Sequence, residues 1–84
     1  MYVLVGSVTT AVRLSKLMEK LSGYPSEVVH TPSSLNKGGC SYSVRSDDRA
    51  VELVKGIVKE YSINIKKIYI EEFIGEERVF RAVP

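Results

Sequence analysis

Eighty-four residues fit one small domain, residues 1–84, whose single core leaves little stability to spare. With 44% hydrophobic and 26% charged residues the chain should fold, and twelve Lys and Arg against ten Asp and Glu leave +2 with no basic block, so nucleic acid is not an expected partner. The opening "MYVLVGSV" is too short for a membrane span and lacks a basic leader and cleavage site, so no membrane association is expected and the chain reads as cytoplasmic.

Tyr2 to Val5 form an apolar, β-branched run stopped by Gly6, the pattern of a buried strand. In "SVTTAVRLSKLMEKLSG" the residues Ala11, Leu14, Leu17, Met18 and Leu21 recur at helical spacing with charged residues between them, which predicts an amphipathic helix. Ser7, Thr9 and Thr10 offer capping hydroxyls at its start, and Gly23 suits the left-handed residue after its end. Pro25 prevents continuation, and "SEVVH" supplies a second strand ending at His30. "TPSSLNKGG" is rich in turn formers and predicts a loop.

"CSYSVR" then alternates, with Cys40, Tyr42 and Val44 on one face and Ser41, Ser43 and Arg45 on the other. "SDDRAVELVKGIVKEY" predicts a second helix capped by Ser46, with Ala50, Leu53, Val54, Ile57, Val58 and Tyr61 as its apolar stripe. "INIKKIYIEEFI" reads as a long strand, and Gly75 with Glu76 and Glu77 as a turn into a last strand, "RVFRAV". The carboxylate pairs Asp47/Asp48, Glu71/Glu72 and Glu76/Glu77 are expected to be solvated, and Tyr42 and Phe73 to be core or interface residues. The order strand, helix, strand, strand, helix, strand, with an extra hairpin strand, predicts an α+β ferredoxin-like split βαβ sandwich.

In that fold the first and third strands are antiparallel neighbours, so Cys40 is expected beside Gly6, facing the backbone N–H groups around Ser7 to Thr10. Cys40 is the only cysteine, which excludes an internal disulfide, a CxxC pair and a multi-thiolate zinc site. His30 has no spaced companions for metal binding, and no cofactor is called for. A helix N-terminus can lower a cysteine pKa from ~8.5 to between ~3.5 and ~7.5. Lys37 and His30 could add positive charge or accept a proton, and Gly38 and Gly39 can turn backbone N–H groups toward an anion or leave room for a partner. A free cysteine on the apolar face of a strand can equally be simple packing.

The motifs "GSVTTA", "LSKLMEKL", "GYP", "VVHTPSSL" and "GGCSYSVR", spread over roughly residues 1 to 70, together resemble a family of small bacterial and archaeal proteins described as selenium or sulfur carrier-like. The resemblance implies that Cys40 accepts sulfur as a persulfide, or selenium as a perselenide, from a donor protein such as a cysteine desulfurase and hands it to an acceptor protein. One departure stands out: in that family glycine follows the cysteine, whereas here Gly38 and Gly39 precede it and Ser41 follows. The tail "EEFIGEERVFRAVP" lies outside the resemblance and reads as an edge strand through which two copies could pair. The competing expectation is a non-catalytic ferredoxin-like binding module or dimerising adaptor in which Cys40 is only packed. An acylphosphatase-like enzyme would need an arginine in the first loop, and "GSVTT" has none.

Overall fold

A computed structural model describes residues 1–36 and 42–84. Its elements are β1 (Tyr2–Val5), α1 (Val8–Ser22), β2 (Ser26–His30), β3 (Tyr42–Ser46), a 3₁₀ turn (Asp48–Ala50), α2 (Val51–Glu60), β4 (Ile65–Ile74) and β5 (Glu77–Val83). The chain is α+β: five strands form one sheet in the order β2-β3-β1-β4-β5, every neighbouring pair antiparallel. Among the described residues no helix is long and apolar enough to cross a membrane.

All four residues of β1 are buried, as a run without polar alternation requires. Val3 and Val5 join Val44 and Ile68 against Ala11, Leu14 and Met18 of α1 and Val54 and Ile57 of α2, so both helices contribute to one core on one face of the sheet. Tyr2 and Leu4 point the other way, into a second cluster with Val29, Leu35, Tyr69 and Phe80. Leu35 belongs to the loop after β2, which therefore folds back over the face that the helices leave open.

The predicted α1 stripe holds at Ala11, Leu14 and Met18, but Leu21 is exposed. Buried Ser15 takes a place on the packed face instead: its Oγ lies 2.7 Å from Ser26 Oγ, which donates to the Ser15 carbonyl at 2.9 Å and pins the helix to β2. Gly23 ends the helix in the left-handed region (φ 75°), its N–H donating to the Glu19 carbonyl.

The second helix is not capped by Ser46. That residue is the last of β3, paired with Ser26 and hydrogen-bonded through its own backbone to Met1. Its hydroxyl donates to the Pro25 carbonyl, and the side-chain cap is instead that of Asp47 on the 3₁₀ turn leading into α2, accepting from the Arg49 N–H at 2.8 Å, while α2 itself starts after Ala50 without a side-chain cap. Of the predicted α2 stripe Ala50, Val54 and Ile57 are buried, whereas Leu53 and Tyr61 face solvent. Past the C-cap Tyr61, Ser62 is left-handed (φ 54°) without being glycine, and Ile63 N–H reaches back to the Val58 carbonyl at 3.0 Å.

The expected solvated acids are largely paired: Asp48 accepts from the Met1 amine at 2.6 Å, Glu71 from Arg78 at 2.6 Å and Glu72 from Arg81 at 2.9 Å. Phe73 is not in the core; it is 66% exposed on a β4–β5 hairpin that runs beyond the start of β1.

Two outcomes follow from the helix termini. Ser62→Gly removes the cost of a side chain in the left-handed region, and chemical denaturation should show a gain of up to about 1 kcal/mol, with no gain or a loss counting against strain at that position. The Arg49 side chain, then its backbone N–H, hydrogen-bonds Asp47 and lowers its pKa from the ordinary 3.8 to about 2. A carboxylate depressed in the folded state stabilises above its unfolded pKa, and that contribution is lost as pH falls through the folded value. Asp47→Asn should therefore lose less stability than wild type between about pH 4 and about pH 2, and parallel acid profiles would refute the pairing.

Candidate functional site

One end of the sheet gathers most of the described candidates. The last residue of β1, Val5, pairs with Tyr42 at the start of β3 and with Ile65 at the start of β4, and Tyr42 pairs in turn with His30 at the end of β2. The row His30, Tyr42, Val5, Ile65 is thus a rim. Gly6 carries the chain from that rim into Ser7 and the first turn of α1. The loop after β2 leaves from the same end and returns to it at Tyr42.

Cys40, Lys37, Gly38 and Gly39 lie outside the described residues. The expectation that Cys40 faces α1 rests on its place in the chain, two residues before Tyr42. The other expected residues are placed. His30 is exposed on the helix-side face, which it shares with Val28, and its ring stacks on that of Tyr42 with centroids 5.2 Å apart and planes tilted by 31°. Neighbouring cross-strand rings of this kind hold each other's rotamers.

Ser7 is extended (φ −153°, ψ 156°), and its Oγ accepts from the Thr10 N–H at 3.2 Å and lies 2.9 Å from Thr10 Oγ1. The two hydroxyls therefore serve each other as a cap. Thr9 is exposed, and the first-turn N–H groups of Val8 and Thr9 have no acceptor within the helix. They carry the positive end of the helix dipole at the rim.

The structure adds a residue that the sequence pattern hides. Leu4 pairs with Lys67 and Val5 with Ile65, so Lys66 is the extra residue of a β-bulge. The bulge lets Ile65 and Ile68 both face the helices although they are three apart, where regular alternation would separate them. Its second consequence is at the rim: the Lys66 stem runs beside Gly6, close enough that a Cβ added there would sit 3.8 Å from Lys66 Cε. A lysine pair in a strand is the only trace of this in the sequence, and it does not mark a bulge.

Chemically, the described rim offers two helix-terminal amides, one lysine and an imidazole, a set suited to an anion and to proton exchange. Among the described residues no three His, Cys, Asp or Glu side chains gather as metal ligands would. If Ser7 is the cap and Thr9 is not, Ser7→Ala should cost about 1 kcal/mol in chemical denaturation and Thr9→Ala less than about 0.5 kcal/mol; equal losses would contradict the assignment.

The family model described as "Putative Se/S carrier protein-like" matches residues 1–70. No curated protein and no solved structure matches the chain. The match takes in β1 through the first part of β4, with the rim and Cys40 inside it, and leaves out the rest of β4 and all of β5. Because the matched segment is 70 of the 84 residues, the chain belongs to the Se/S carrier protein-like family.

Proposed function

We propose that this chain is a single-thiol carrier of sulfur or selenium, with Cys40 as the accepting atom. The observation that carries the reading is the family match across residues 1–70, which includes the chain's one cysteine. The fold is read as ferredoxin-like with β5 appended, since β4-β1-β3-β2 is the order a split βαβ sandwich takes and both helices share one core. One residue, Ser41, separates Cys40 from Tyr42, a reach of at most about 7 Å from the rim.

In the loading step the Cys40 thiolate attacks the outer sulfur of a persulfide on a donor protein. The new S–S bond forms as the donor's S–S bond breaks, and the donor leaves as a thiolate, so no external oxidant or reductant is needed. Delivery repeats the exchange with an acceptor nucleophile. Perselenide transfer follows the same balance. The amides of Val8 and Thr9, Lys66 and Lys37 favour the anionic form of both the thiol and the persulfide, and His30 exchanges the proton with solvent. Gly38 and Gly39 leave space for the partner's reacting sulfur. With no second cysteine, a loaded persulfide cannot discharge as an internal disulfide, so its transfer is intermolecular.

Intact-mass analysis after incubation with a cysteine desulfurase and cysteine tests the reading. Wild type should gain ~32 Da, one sulfur atom, and Cys40→Ala should gain nothing. No adduct on wild type, or the same adduct on both, would overturn it. Lys66→Ala should keep the adduct but form it several-fold more slowly near neutral pH, and an unchanged rate would remove Lys66 from the site.

A further inference from the structure

Among the described residues no strand pairs with the outer edge of β5, the strand beyond the family match. β5 is the outermost strand, seven residues long, and the exposed apolar side chains Phe73, Ile74 and Val79, at 66%, 68% and 38% exposure, all lie on this hairpin. Its loop is the two-residue pair Gly75 and Glu76 between Ile74 and Glu77, with only Gly75 in the left-handed region (φ 65°), as a type II′ turn needs. The closing pair of such a hairpin exchanges both its hydrogen bonds, so Arg78, Phe80 and Ala82 turn their backbone groups away from β4, toward the open edge. An open edge of this length pairs readily with another strand.

We propose that two copies of the chain pair through β5, antiparallel about a two-fold axis at Val79, joining their sheets into one. Only registers that set the outward groups of one β5 against those of the other can form the ladder, and their axes pass through single residues of the strand. Charge chooses among them. An axis at Arg78 or Arg81 would oppose two arginines, and an axis at Phe80 would set Arg81 against Val79 and Glu77 against Val83. An axis at Val79 places Glu77 opposite Arg81 of the second copy twice over, Arg78 opposite Phe80, and the two Val79 side chains against each other. These partners share faces: Val79, Glu77 and Arg81 align with Glu72, Ile74 and Ile70 on the helix side, and Arg78 and Phe80 with Phe73 and Glu71 on the other. Arg78 already lies over Phe80 of its own chain at 4.6 Å, so the same cation–π contact is repeated across the axis.

The pairing does not depend on the carrier reading and uses none of its residues. Sedimentation equilibrium of the full chain tests it at about 100 μM, where even a modest self-affinity is visible. Wild type should be dimeric. Glu77→Lys sets lysine against Arg81 of the second copy, Arg81→Glu sets glutamate against Glu77, and each variant alone should associate at least about tenfold more weakly. Mixed in equal amounts the two variants should form a heterodimer, because both cross-axis pairs are then of opposite charge. Monomeric wild type, association indifferent to either variant, or a mixture no more dimeric than its components would each overturn the proposal. Far-UV circular dichroism identical to wild type confirms that each variant is folded.

Discussion

Four successive residues, Tyr2 to Val5, are buried on both faces of the sheet, and the rest of the molecule is arranged around that constraint. Burying an aliphatic side chain contributes about 1.5–3 kcal/mol, so a strand with two apolar faces strongly favours cover on both. The helices cover Val3 and Val5, while the loop after β2 and the β4–β5 hairpin cover Tyr2 and Leu4. Having β3 and β4 as its two neighbours fixes where β1 stops, and Gly6 and Ser7 launch α1 from that point. The candidate site is therefore a by-product of core packing: the helix start, the ends of β2 and β3 and the bulge at Lys66 meet there because the strand between them ends there.

Local signals were readable where the responsible residues are close in sequence. The 3.6-residue spacing of Ala11, Leu14 and Met18, the stop at Gly23 and the turn at Gly75 each depend on a few neighbours, and each appears in the structure. Long-range partners were not readable. Ser46 looks like a helix cap until Ser26 and Met1 claim it for the sheet, and the pairing of the exposed Asp48 with the distant terminal amine leaves no local trace. Leu21, Leu53 and Tyr61 have the right spacing for their stripes but are exposed, because spacing alone does not say how wide a strip of the helix its neighbours cover. In the candidate site, Ser7 and His30 were legible as a helix start and a strand end. The mutual capping of Ser7 and Thr10 and the aim of Lys66 needed the register of β1 against its two neighbours.

The two ends of the sheet carry different kinds of information. The rim at Val5 lies wholly within the family match, whereas the hairpin tip at Gly75 lies outside it and at the opposite end of β4.

The central physical claim is that an amide-rich helix start holds the Cys40 sulfur as an anion. Its most direct measurement is a pH titration followed by NMR, reading the Cys40 Cβ resonance together with the backbone amides of Val8 and Thr9. A thiol titrating well below ~8.5, with those two amides moving on the same curve and losing the response in Cys40→Ala, is the expected result. A thiol titrating at or above ~8.5, with the Val8 and Thr9 amides unmoved, would contradict it.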